Sequence, residues 1–376
     1  MNLWDKLRRT PPRDVLKEAG RVVRTRTRLE PRFLRGRALG VYSVSFWVTR
    51  RCNLKCDMCW VDRSARAEGE EYLRSADELT LDELRKVVDD VRRYRPRIGI
   101  TGGEPFVRSD AVDFIAYVKG LGLRCGVNTN GVFLARDAAA LVEVGLDNVM
   151  VSLDGPADVH DRMRGVAGSW ERAYKGLRTL LEKRADAGKR KPYVKITTTI
   201  TEDNYDRLAE TAALLSDLPL DELTFQHVWF TTPSIAAAQR HQFERLFGQE
   251  TTYLQGFVYD PLGIDLLKLK REMEAIKRTP YPFPINFYPN LSPEELRSYY
   301  LEPARPLRPR CFSRWLRVDV MPDGTVTPCL GLEVGNVREK SFGEIWNNEL
   351  FREFRRYVAR RGTFPGCARC CGLYSD

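Results

Sequence analysis

The sequence predicts an α/β fold built on a parallel sheet, and three observations carry that expectation. Six strand-like runs (44–49, 97–101, 124–129, 147–153, 193–200 and 222–230) alternate with helical stretches, and strands spaced by helices of crossover length pair in parallel. The chemically distinctive stretches, a cysteine loop and several Gly, Asn and Asp turns, fall at the C-terminal ends of those runs, where such folds gather their chemistry. At 376 residues the chain is long enough for a full core and for more than one domain.

Residues 1–40 come first as a basic amphipathic segment. Thr10, Pro11 and Pro12 read as a helix cap and first turn, after which Val15, Leu16, Ala19, Val22 and Val23 recur at helical spacing between Arg13, Lys17, Arg21, Arg24 and Arg28. This segment holds twelve Lys or Arg against four acids, which accounts for most of the chain's net charge of +10. The remainder is nearly balanced, so no nucleic-acid partner is expected. Two readings of the helix stay open. It rests on an anionic membrane surface through residues 1–28, at about 1 kcal/mol per basic residue near the lipid, or its apolar stripe packs on the body of the protein. No apolar run is long enough to cross a bilayer and no secretory h-region is visible, so the expected location is cytoplasmic, with peripheral contact at the inner membrane surface as an option.

Residues 41–232 form the core. The first strand-like run leads into Cys52, Cys56 and Cys59, a C-x3-C-x2-C loop with no histidine nearby. Structural zinc asks for four donors, whereas a 4Fe-4S cluster held by three thiolates keeps one iron open for an outside ligand. Three cysteines also meet in a loop by chance, and the second run weighs against that, since it ends in Gly102-Gly103-Glu104-Pro105. On these two motifs the chain resembles the radical S-adenosylmethionine (SAM) enzymes. The resemblance implies an open (β/α)6 partial TIM-like barrel, ligation of a 4Fe-4S cluster by Cys52, Cys56 and Cys59, and contact of the Gly102–Pro105 turn with the SAM amino group. Glycine is suited to a close approach of backbone to ligand. The residue before the third cysteine, often aromatic in the family, is Met58 here, which keeps a backbone contact to adenine and loses a stacking one.

The third run ends in Asn128-Thr129-Asn130-Gly131 and the fourth in Ser152-Leu153-Asp154-Gly155. Both resemble family segments lining the SAM site, with Asn128, Asn130, Ser152 and Asp154 as implied contacts; Asn-Gly and Asp-Gly are also ordinary turn formers. In the stretch His160–Gly165 the family places an arginine on the SAM carboxylate, and Arg164, or else Arg162, is the match. Gln226, His227 and Trp229 end the sixth run and face a substrate or the core; His227 is the candidate acid or base. Residues 233–306, rich in proline and aromatics, read as an insertion bridging the open side of the barrel. Cys125, alone in the third run, reads as a buried inert thiol.

Residues 307–376 carry the second cysteine cluster. Cys311 and Cys329 flank a hairpin turning at Pro322-Asp323-Gly324, a helix runs from about Phe342 to Tyr357, and Cys367-x2-Cys370-Cys371 closes the set. Four cysteines in two pairs suit zinc as well as iron-sulfur. Behind a radical SAM core they resemble a shortened SPASM domain of the Twitch type, a small hairpin-plus-helix domain in which Cys311, Cys329, Cys367 and Cys370, or Cys371 in place of Cys370, hold one auxiliary 4Fe-4S cluster. The function so implied is reductive cleavage of SAM, with an electron from flavodoxin or ferredoxin, and hydrogen abstraction leading to an oxidative modification of a peptide, sugar or lipid-like substrate. The contrasting reading is a non-catalytic adaptor with structural zinc and N-terminal arginines on nucleic acid.

Overall fold

The computed structural model describes residues 33–61, 63, 77–259, 262–329 and 331–374, together with Val15, Ala19, Gly20 and Pro31. Apart from three of those isolated positions, the expected basic helix over residues 1–28 lies outside the described residues.

Each predicted core strand is present: β1 (Ser43–Trp47), β2 (Arg97–Thr101), β3 (Arg124–Thr129), β4 (Asn148–Ser152), β5 (Tyr193–Ile200) and β6 (Glu222–His227) pair in sequence order, all parallel. The period of two explains their two faces. Val44 and Phe46, Ile98 and Ile100, Cys125 and Val127, Val149 and Val151, and Val194 and Ile196 are buried in one layer with the helices. The residues between them are less buried and form the other face. The covering helices include α1 (Leu81–Arg92), α2 (Ala111–Gly120), α3 (Leu134–Glu143), α4 (Ala157–Arg164), α5 (Ser169–Asp186) and α6 (Leu208–Leu214). Their starts are chemically marked, as at α1, where Thr80 accepts from Glu83 N and Glu83 reciprocates to Thr80 N, a capping box.

Two additions were hidden in the sequence. After α7 (Pro233–Phe247) and α8 (Leu266–Arg278), the stretch expected to be irregular contains β7 (Ile285–Tyr288), parallel to β6 at the sheet's edge, followed by α9 (Pro293–Leu301). Pro282, Pro284 and Pro289 around β7 mask its strand signal, and an edge strand is where prolines are tolerated. On the other side, β8 (Arg317–Val320) of the predicted hairpin lies parallel to β1, and β9 (Thr325–Thr327) and β10 (Gly335–Asn336) follow. The hairpin is therefore part of one ten-stranded sheet, ordered β10-β9-β8-β1-β2-β3-β4-β5-β6-β7. Gly324 makes its turn at φ +88°. The expected C-terminal helix is two, α10 (Phe342–Trp346) and α11 (Glu349–Arg361), because Asn348 accepts from Phe351 N at 2.8 Å and restarts the helix.

Three ring contacts join Trp47 of β1 to Trp229, just after β6: Trp47 to Trp60 at 5.1 Å, Trp60 to Phe257 at 5.4 Å and Phe257 to Trp229 at 3.8 Å. This aromatic chain lies at the C-terminal ends of the strands.

Candidate active site

The cysteine loop is clamped from two directions. On the β2 side, Gly103 N donates to Thr49 O at 2.8 Å and Glu104 N to Arg51 O at 2.9 Å. A Cβ on Gly102 would meet Thr49 O at 2.4 Å, and one on Gly103 would meet Arg51 O at 2.3 Å. Both glycines are thus required by the approach of protein backbone to protein backbone, a reason different from the ligand contact expected of them. On the α4 side, Lys55 N donates to Arg164 O at 3.1 Å and Asp57 N to Met163 O at 3.2 Å. Gly165, at φ +67°, admits Lys55 O where a Cβ would stand 2.3 Å away.

Inside this clamp Cys56 is buried, Cys59 half-buried and Cys52 exposed. Two side chains point N–H groups at sulfur: Asn130 Nδ2 lies 3.9 Å from Cys52 Sγ and Arg164 Nη1 lies 3.7 Å from Cys56 Sγ. Burial pushes the Cys56 thiol up and the Arg164 charge opposes it. Four of the expected SAM-site residues are tied together here in two pairs, Glu104 with Asn130 and Asp154 with Arg164. Glu104, fully buried, accepts from Asn130 N at 2.7 Å, Thr129 Oγ1 at 2.8 Å and Phe106 N at 3.1 Å. Even so, burial raises its carboxyl to about 7. Asp154, fully buried, holds Arg164 Nε at 2.6 Å and accepts from Thr199 N at 2.9 Å.

Several expectations change. Asp154 bonds Arg164 and the β5 backbone, so it positions the arginine. Arg162 turns outward to Asp203, its Nε 3.6 Å from that carboxylate, which leaves Arg164 as the inward one. Asn128 and Ser152, less buried, sit on the polar face of β3 and β4, and Pro105 is buried at the start of a short 3-10 turn. His227 is not on that face. It is 1% exposed, its Nδ1 lies 2.7 Å from Tyr300 Oη, and it packs on Tyr299 and Tyr300. A side chain walled in this way is a core residue, and burial holds its imidazole down to about 3.

Sequence reasoning missed His160, which is fully buried and accepts the Asp154 backbone N–H at its Nδ1, 3.2 Å away. Its place one turn after a strand-end Asp-Gly-Pro was the available signal. Burial lowers it to about 4. For both histidines the folded value lies below the unfolded one near 6.5. The unfolded chain therefore binds the proton first on acidification, and stability present above pH 6.5 is lost as pH falls toward 4. Each contributes about 3 kcal/mol to that loss by pH 4. Denaturant titrations between pH 7 and 4 should show a stability slope that His227→Gln reduces; an unchanged slope would contradict the burial argument.

The C-terminal cysteines also converge. Cys311, Cys329, Cys367 and Cys370 line one cavity with Arg314, whose other walls include Phe354, Val358, Phe364 and Leu373. Cys371 is exposed and outside this lining. Arg369, between the paired cysteines, was unread in the sequence. It is 2% exposed and donates to Ser298 O at 2.8 Å and Arg305 O at 2.9 Å, capping the end of α9 and fixing the Cys367–Cys370 turn. Among the described residues no three Cys, His, Asp or Glu side chains are arranged to hold a single metal ion. Three thiols in one loop, and four around one apolar cavity, are donor sets that fit iron-sulfur clusters.

This largely parallel sheet, with a three-cysteine loop after β1 and a four-cysteine cavity formed around the neighbouring hairpin, is the architecture of an enzyme that pairs SAM with iron-sulfur chemistry. The chain belongs to the radical SAM superfamily: residues 48–215 match that superfamily and residues 311–371 match the SPASM iron-sulfur cluster-binding domain. It accordingly uses a 4Fe-4S cluster, SAM and auxiliary iron-sulfur chemistry. Among its relatives, an AdoMet-dependent heme synthase of Oleidesulfovibrio alaskensis is 29% identical over 345 residues, 86% of this chain and 79% of that protein. An Fe-coproporphyrin III synthase of Methanosarcina barkeri is 29% identical over 347 residues, 86% of this chain and 79% of that one. In fold it is similar to Streptococcus suis SuiB bound to S-adenosylmethionine, at TM-score 0.61 and 15% identity, covering 92% of this chain and 74% of SuiB. No described helix is long and apolar enough to cross a membrane.

Proposed function

We propose that this chain carries out an oxidative modification of a flat, carboxylate-bearing tetrapyrrole. The observation that carries the reading is the aromatic chain Trp47, Trp60, Phe257 and Trp229, in which Trp60 directly follows Cys59 and which lies at the C-terminal ends of the strands. Half-buried Trp47, Trp60 and Trp229, grouped around buried Phe257 by one stacked and two angled contacts, offer apolar ring surface to a conjugated macrocycle. Support comes from the two relatives named for haem and Fe-coproporphyrin synthesis.

In this reading Cys52, Cys56 and Cys59 hold the SAM-binding cluster, and Cys311, Cys329, Cys367 and Cys370 the auxiliary one. When bound and reduced, cluster and SAM together supply a 5′-deoxyadenosyl radical that abstracts hydrogen from an unactivated C–H bond. Arg164, aimed by Asp154 and His160, meets the SAM carboxylate. The Gly102–Pro105 turn, held by the Cys-loop carbonyls and Glu104's contacts with Thr129 and Asn130, presents the surface for the SAM amino group. Asn128 and Ser152 line the polar face beside it. A carboxylate side chain that loses one hydrogen atom and carbon dioxide must also lose one electron to become an alkene, and an auxiliary cluster held by Cys311, Cys329, Cys367 and Cys370 would supply the acceptor. Arg51 and Lys55, exposed beside exposed Cys52, offer an acidic electron-transfer protein of the flavodoxin or ferredoxin type a place to deliver the first electron.

The test is anaerobic turnover of reconstituted protein with SAM, reductant and iron-coproporphyrin III. The expected results are porphyrin-dependent 5′-deoxyadenosine and a product lacking a carboxylate, both reduced at least about tenfold by Trp229→Ala, as loss of a stacking anchor worth about 1.4 kcal/mol or more requires. Porphyrin that neither binds nor changes 5′-deoxyadenosine output would sink the substrate class while leaving the radical chemistry standing.

A further inference from the structure

Of the described residues lining the C-terminal cavity, Arg314 alone brings a permanent charge. It sits in the short 3-10 turn Ser313–Trp315, between Cys311 and β8. Both ends of the residue are held. Its Nη1 donates to the carbonyl of Pro328, the residue before Cys329. Its backbone carbonyl accepts from Arg355 Nε at 2.9 Å, and Arg355 is itself fully buried. On the opposite side Gly372 leaves it room: a Cβ there would stand 2.8 Å from Arg314 Nη2 and 3.5 Å from Cys370 Sγ. The guanidinium is therefore fixed among the thiols, between the Cys329 and Cys370 sides of the cavity.

A guanidinium keeps its proton in proteins, so the charge is constant. The neighbouring walls are apolar, and in such surroundings a charge acts over a short gap far more strongly than it does in water. Resting on the reading that the four thiolates hold the auxiliary cluster, we infer that Arg314 sets that cluster's reduction potential, raising it so that the cluster accepts an electron from substrate. The physical reason is that uptake of an electron adds negative charge beside a fixed cation, which stabilises the reduced form over the oxidised one. Asp319 is the opposing group. It lies on β8, paired in register with Ser45 of β1 on one side and with Thr327 of β9, two residues before Cys329, on the other. The arginine and the aspartate thus tune the same centre in opposite senses, and the aspartate does so from the strand shared with the sheet.

The experiment is an EPR-monitored redox titration at pH 8 in a Cys52→Ala/Cys56→Ala/Cys59→Ala background, where only the C-terminal cluster can form. Arg314→Gln is expected to shift the midpoint to lower potential, Arg314→Lys to restore most of it, and Asp319→Asn to shift it upward. An unshifted midpoint in Arg314→Gln that retains about four irons per chain overturns the inference. Should Arg314→Gln lose its cluster, Asp319→Asn decides: an upward shift supports the electrostatic role and no shift overturns it. A background protein that binds no iron before any change at Arg314 would instead overturn the ligand reading itself, and the inference with it.

Discussion

Replacing Cys56 by alanine is expected to reduce 5′-deoxyadenosine formation to background. Cys56 is 8% exposed and lies at the centre of a loop whose backbone is fastened to α4 and to the β2 turn. Those fastenings are main-chain hydrogen bonds, so removing the thiol leaves the loop's path intact and takes away one of three cluster ligands. Iron should fall from about eight to about four per chain, with the circular dichroism spectrum unchanged. Mass spectrometry of the nucleoside product checks this, beside a Cys125→Ala control. Cys125 is buried in the sheet layer, apart from both clusters, and its loss should spare product formation. Persistent product in Cys56→Ala would mean that the ligands are assigned wrongly.

Gly103→Ala should do nearly the same damage without touching a sulfur. The added Cβ would stand 2.3 Å from Arg51 O and 2.7 Å from Arg50 O. Neither atom belongs to a flexible side chain, so relief requires moving the start of the cysteine loop away from β2. That movement breaks the 2.8 Å and 2.9 Å bonds from Gly103 N and Glu104 N. The expected outcome is a protein with about four irons, the C-terminal set, and a stability loss of about 1–3 kcal/mol. Iron analysis and denaturant melts measure both. A Gly103→Ala protein with its full iron and unchanged SAM affinity would show that the turn yields more easily than backbone contacts of this length allow.

The core was legible because its strands alternate in type with helices and because glycine and cysteine are informative residues: Cys52, Cys56 and Cys59 and the Gly102-Gly103 pair announce a site without any fold. What stayed hidden were partnerships between remote segments. Nothing local in Val318 or Asp319 says that β8 will lie beside β1, since strand pairing depends on shape and register that a single strand does not encode. Asp154 reads as a ligand contact in sequence because an Asp-Gly turn at a strand end is polar and well placed; only its neighbours Arg164 and Thr199 reveal that it also positions the arginine. His227 shows the same limit from the other side. Its position after a strand suggested chemistry, while Tyr299 and Tyr300, more than seventy residues later, wall it into the core.

The parallel pairing of β8 with β1 joins the two cysteine-bearing regions mechanically. β1 runs directly into the loop of Cys52, and β8 lies between Cys311 and Cys329. The two metal-binding regions are thus mounted on neighbouring strands, whose spacing is set by backbone hydrogen bonds at about 4.8 Å. Such a mount differs from a tether. Motion that would swing a domain on a linker cannot part these two regions without breaking the β1–β8 ladder. Their relation is thereby a property of the sheet rather than of a linker.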